Sequence, residues 1–179
     1  MPSMAPHGKS EQLRLGFLTA IEVPDRGFSG GLLVTNHYGR PLEFQCTTPV
    51  KPNATQEILY GSSLQPFLLG ELIGGTLVEK TSVKPQLILT DLPQILELRN
   101  HIDLPVVLVG LDEHYAHGDE GEPMLRLGRQ NVRFHPAHGG DCEEVAANTR
   151  QVPAEADLCE PFTRVRDALQ ETLKTGSLR

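Results

Sequence analysis

Apolar residues alternate with others from Leu13 to Val23: Leu13, Leu15, Phe17, Ile21 and Val23, with Thr19 in the remaining odd slot. Period two predicts a strand with one buried face. Pro24 to Gly31 (PDRGFSGG) is half glycine and proline and reads as a turn or short loop. Leu32 to Thr35 is a second, short apolar strand, turned back by Asn36 to Arg40. Pro41 opens a third strand, where a missing N–H matters least, with Leu42, Phe44 and Cys46 facing inward. Short connections predict an antiparallel meander.

The period then changes. Asn53 is placed to cap a helix, with Gln56 three residues on to complete a capping box and Ile58 and Leu59 facing inward. Gly61-Ser62-Ser63 interrupts it, and Pro66 opens a second helical run. Phe67, Leu68, Leu72, Ile73, Leu77 and Val78 fall on helical spacing around Gly70, Gly74 and Gly75. Each glycine costs about 1 kcal/mol in a helix interior. Either the backbone is closely packed there, or the helix ends near Gly74 and a strand follows. Gln86 to Thr90 is a continuous apolar strand. Asp91 is a good N-cap for a helix over Leu92 to Asn100, and Pro105 to Leu111 is another apolar strand. Strand, helix, strand at this spacing predicts a βαβ unit with parallel, neighbouring strands.

Beyond Leu111 the chain is acidic and rich in glycine as far as Pro123. Met124 to Leu127 and Val132 to His135 read as a small hairpin, and Asp141 as the cap of a short helix through Asn148. Phe162, Val165, Leu169 and Leu173 mark a final amphipathic helix. The expected layout is a disordered tail over residues 1–11, a core over 12–111, an acidic insert with a small hairpin over 112–152, and a C-terminal helix over 153–179 that packs on the core. The fold class is α/β: a mixed sheet of about five strands, three antiparallel and then a βαβ unit, in a ribonuclease-H-like element order. The wording GRPLEFQCTTPVKPN, then QEILYG and LLGELIGGTL, resembles a family of bacterial proteins over roughly Leu15 to Leu111. That resemblance implies one coherent domain and brings with it no activity, cofactor or partner.

Net charge changes the picture more than composition does. It is −7 overall, and residues 112–160 alone hold eleven acids against four arginines. An acidic chain repels phosphate backbones, so nucleic acid is disfavoured as a partner. The basic cluster Arg126, Arg129 and Arg133 reads as the solvated side of the hairpin. Three cysteines in no disulfide-like spacing, no apolar leader and no membrane-length apolar run predict a cytoplasmic protein with no membrane partner.

Two constellations could carry chemistry. Ribonuclease-H-like nucleases use acids at strand ends and in helices to hold two divalent metals, which clamp the oxygens of a phosphodiester. Glu22 ends the first strand, Glu57 and Glu71 are in the helical region, Asp91 ends the fourth strand, and Asp112 and Glu113 follow the fifth. The pattern departs from those enzymes in the first strand, whose middle offers Gly16 and Thr19 where an aspartate is expected. The second constellation is His114, His117, His135, His138 and Cys142, five ligands within 29 residues and a zinc-like donor set without a CxxC pair. No cofactor is predicted outright; a divalent metal, Mg, Mn or Zn, enters through one of these groups. The glycine-rich GFSGG and GELIGG match no phosphate-cradle motif. The leading functional expectation is a non-catalytic domain acting through protein contacts or self-association. The alternative is a metal-dependent nuclease or phosphodiesterase of ribonuclease-H-like build, and a second alternative is a small-molecule or nucleotide sensor.

Overall fold

A computed structural model describes residues 12–110 and 122–176. Seven strands form one mixed sheet: β1 (Arg14–Val23), β2 (Gly27–Asn36), β3 (Pro41–Cys46), β4 (Leu87–Thr90), β5 (Val106–Val109), β6 (Met124–Leu127) and β7 (Gln130–Phe134). Their spatial order is β3-β2-β1-β4-β5-β7-β6. The meander β1-β2-β3 is antiparallel, and β1, β4 and β5 run parallel, as the βαβ spacing required. The architecture is α/β and ribonuclease-H-like. The sheet exceeds the expected five strands because β7 pairs with β5, Val107 opposite Phe134, and brings β6 with it. Val132 and Phe134 are thereby buried, and the apolar edge that β5 would present is covered.

Strand alternation feeds two cores. Leu15, Phe17, Leu87 and Leu89 point to one face, where helix α4 (Glu160–Lys174) lays Phe162, Val165 and Leu169 across them. Phe17 and Phe162 meet edge to face with centroids 5.5 Å apart. Leu18, Leu32 and Ile88 point the other way, onto Leu68, Leu69, Ile73, Leu77, Ile95 and Leu98. Those residues come from a π-helical segment (Pro66–Gly74), helix α2 (Gly75–Lys80) that continues it, and a 3-10 helix (Pro93–Asn100). Close packing accounts for Gly70 and Gly74, whose Cβ atoms would lie 3.0 Å from the Gln94 carbonyl oxygen and 3.1 Å from Leu98 Cδ2, but not for Gly75, where a Cβ would meet nothing within 4 Å.

Several local expectations need correction. Gly27 to Gly31 is strand, so β2 is ten residues long and only Pro24 to Arg26 turn. Gly30 and Gly31 sit where helices press on both faces: Cβ atoms there would lie 2.2 Å from Ile73 Cγ2 and 2.8 Å from Val165 Cγ1. Neither glycine run is therefore a ligand cradle. Helix α1 (Ala54–Tyr60) has the capping box expected of Asn53 and Gln56, but it buries no residue, and Ile58 and Leu59 are 80% and 77% exposed. Its seven residues are held by their cap and by Tyr60 stacked on Phe67 at 4.3 Å. On β3, Leu42 is exposed. Asp141 begins helix α3 (Asp141–Asn148) without capping it; its carboxylate accepts from the Arg99 guanidinium at 2.8 and 3.3 Å. Among the described residues no helix is long and apolar enough to cross a membrane.

Candidate functional site

The parallel register sets Leu18 beside Thr90, so Asp91 emerges at the carboxyl end of β4 next to Thr19. In open α/β sheets, ligands gather outside the carboxyl ends of the strands. Both residues lie on the odd positions that face α4. Thr19 Oγ1 donates to Asp91 Oδ1 at 2.7 Å. The Asp91 carboxylate does not cap the helix that follows. That helix starts at Leu92 with no side-chain cap, and the Leu92 amide donates to Thr90 Oγ1 at 3.2 Å instead.

The second partner of Asp91 comes from α4. Arg166 follows Val165, so it stands on the flank of the buried stripe, and its Nη2 donates to Asp91 Oδ2. Thr19 is fully buried and the Asp91 side chain is 1% exposed, whereas the Arg166 side chain is 36% exposed. A buried carboxylate is thus neutralised from one side and hydrogen-bonded from the other, and of the three side chains Arg166 is the one that is substantially exposed. Partial burial pulls the Arg166 pKa below its ordinary value. Period two puts Thr19 on the buried face of β1, but Asp91 reads from the sequence as a helix cap, and its place beside Thr19 comes from the pairing of β1 with β4. Arg166 left no comparable signal, because it is 75 residues away and reads as one more solvent-side charge of an amphipathic helix.

The other candidate acids do not join them. Glu22 is an even position of β1, on the side of Leu18 and Ala20, and is exposed opposite Phe28. It therefore leaves the sheet on the face opposite Asp91. Glu57 is exposed on α1, and Glu71 lies 3.7 Å from His101. Asp112 and Glu113 lie outside the described residues. Among the described residues no three His, Cys, Asp or Glu side chains are grouped to hold a metal ion.

Of the histidine constellation, only His135, His138 and Cys142 lie among the described residues. His114 and His117 lie outside the described residues. His135 and His138 do meet, with rings 5.3 Å apart, but Asn100 bridges them at 3.2 and 2.9 Å. His135 Nδ1 accepts from the Ala137 amide at 3.0 Å. Burial first, and then the neighbouring His138, hold the His135 pKa below its usual value. Cys142 instead packs against the α4-side core.

No family model matches the chain, and no curated protein matches it. Among solved structures it is similar to human endonuclease V, at 16% identity over 92% of this chain and 87% of that one, with a TM-score of 0.47. It is similar to endonuclease V of Ciona intestinalis in complex with a 23mer DNA containing an inosine followed by a ribo-adenosine, at 12% identity over 91% and 88%, with a TM-score of 0.47. It is also similar to Argonaute of Marinitoga piezophila in complex with a 5′ OH guide RNA, at 13% identity over 79% and 26%, with a TM-score of 0.32. These matches weigh against two expectations: the non-catalytic domain working through protein contacts or self-association, and nucleic acid being disfavoured as a partner by net charge. The solved chains it is similar to are an endonuclease V from two organisms and an Argonaute, two of them in complex with nucleic acid. Net charge is also not local charge: the acids concentrate in residues 112–160, while a guanidinium stands at the carboxyl end of β4.

Proposed function

We propose that this chain acts on the phosphodiester backbone of a nucleic-acid strand, as a nuclease or phosphodiesterase of ribonuclease-H-like build. The strand meets the protein where Thr19, Asp91 and Arg166 converge. One observation carries the reading: a half-exposed arginine whose guanidinium is held by a buried carboxylate, at the carboxyl end of β4 beside the middle of β1. A guanidinium has five donors in a rigid fork that matches phosphate oxygens. Asp91 takes one of them and fixes the plane of the fork, so little side-chain entropy is left to lose when a phosphate arrives.

The metal-dependent form of this reading asks for converging carboxylates. The described residues supply Asp91 alone, and both of its oxygens are engaged. They do not fit a two-metal site, and no metal-borne step is derived. Asp112 and Glu113 follow β5, the next parallel strand, and remain the acids this reading would enlist.

Anisotropy titrations with labelled single and double strands of DNA and RNA, between about 50 and 200 mM salt, test the assignment. The native chain is expected to bind at least one of them with salt-dependent affinity. Arg166→Gln should weaken that binding roughly tenfold and lower the salt slope by about one, as loss of one phosphate contact requires. The same strands, run on a denaturing gel with Mg²⁺ and separately with chelator, report cleavage. A native chain that neither binds nor cuts any of them overturns the reading, as does binding that ignores Arg166→Gln.

A further inference from the structure

Each oxygen of the Asp91 carboxylate has a donor of its own. Behind the carboxylate Thr19 Oγ1 donates at 2.7 Å, and in front Arg166 Nη2 donates to the other oxygen. A hard divalent cation gathers about six oxygen ligands, several of them water. A carboxylate whose side chain is 1% exposed, beside a fully buried hydroxyl already donating to it, offers neither a second anionic oxygen nor room for water. A guanidinium neutralises the same charge without a coordination shell. No other described carboxylate reaches the spot, and Glu22 points away from it.

We propose that Arg166 is the resident cation of this site: it stands where the ribonuclease-H-like pattern would seat a divalent metal, and it keeps Mg²⁺ and Mn²⁺ away from Asp91. The site is then a metal position converted to a fixed organic cation. Removing the guanidinium leaves an anionic carboxylate opened to water by the departed side chain, with the Thr19 hydroxyl beside it, and a divalent ion becomes the compensating charge. This inference is independent of the phosphodiester reading, because its readout is the metal and not the strand.

The test is paramagnetic broadening of amide signals by Mn²⁺ on the full-length chain. In the native protein the Thr19 and Leu92 amides should keep their intensity while Mn²⁺ is added. In Arg166→Ala both should broaden selectively, at Mn²⁺ concentrations at least tenfold lower than any that affects them in the native chain. Arg166→Lys, which keeps the charge, should behave as native, and Arg166→Ala combined with Asp91→Asn should lose the new site. If Arg166→Ala does not fold, Arg166→Met retains the hydrocarbon stem and asks the same question. Mg²⁺ should then raise the Tm of Arg166→Met and not that of the native chain. Selective broadening of Thr19 and Leu92 in the native protein overturns the proposal. So does a folded Arg166→Ala or Arg166→Met chain that takes no metal.

Discussion

At the scale of single residues, the energetics concentrate on two carboxylates with different surroundings. Asp91 is buried and depends on Thr19 and Arg166. Thr19→Val keeps the shape and removes the donor, leaving one oxygen of a buried carboxylate unsatisfied. A loss of about 1–3 kcal/mol is expected from the shift in denaturant midpoint. Arg166→Ala should cost about 2 kcal/mol, less than the roughly 3–5 of a fully buried pair because its head is partly in water. Glu43 is a different case. Its carboxylate accepts from Gln45 and from the amides of Ser82 and Val83 at 2.8 to 3.0 Å, which ties β3 to the turn before β4. The Gln45 amide first, then the Val83 and Ser82 amides, lower its pKa from 4.5 to about 2. The folded state therefore favours the ionised form. That contribution is complete above about pH 4.5 and disappears as pH falls toward 2. Glu43→Gln should flatten the stability–pH curve in that window and leave its shape above pH 5 unchanged; an unaltered acid limb would refute the assignment.

At the scale of elements, the glycines of β2 show how a local pattern is overridden. FSGG has the composition of a loop, and it is a central strand because helices crowd both faces. Gly30→Ala would put a Cβ 2.2 Å from Ile73 Cγ2, so Ile73 or the π-helical segment must shift. Thermal unfolding should register a loss of about 1–3 kcal/mol, the range for overpacked cores. Helix α1 is the converse case. Its sequence has an apolar pair and a complete capping box, yet among the described residues it buries none of its side chains. Ile58→Ser and Leu59→Ser are each expected to change stability by less than about 0.5 kcal/mol. A larger loss would mean that these side chains are covered in solution. The capping box was legible because both of its bonds span three residues; the direction Ile58 faces was not, because that depends on what packs against the helix.

At the scale of the whole molecule, one sheet divides two interiors, so damage to either should unfold both. Ile73→Ala on one face and Leu169→Ala on the other are each expected to cost about 2–5 kcal/mol. The unfolding transition should stay single in both variants; a biphasic curve in either would mean that the faces melt separately. The amino-acid sequence by itself determined the alternation of β1, the parallel pairing of β4 with β5, the capped start at Asn53 and the buried stripe of α4. All of these follow from periods and caps that act within a few residues, or from the handedness of a short crossover. Tertiary structure alone decided that β6 and β7 join the sheet, that FSGG is strand, that Glu22 and Asp91 face apart, and that Arg166 closes on Asp91. Each of those depends on which distant surface occupies the space beside a residue, and local periodicity carries no information about a neighbour 75 positions away.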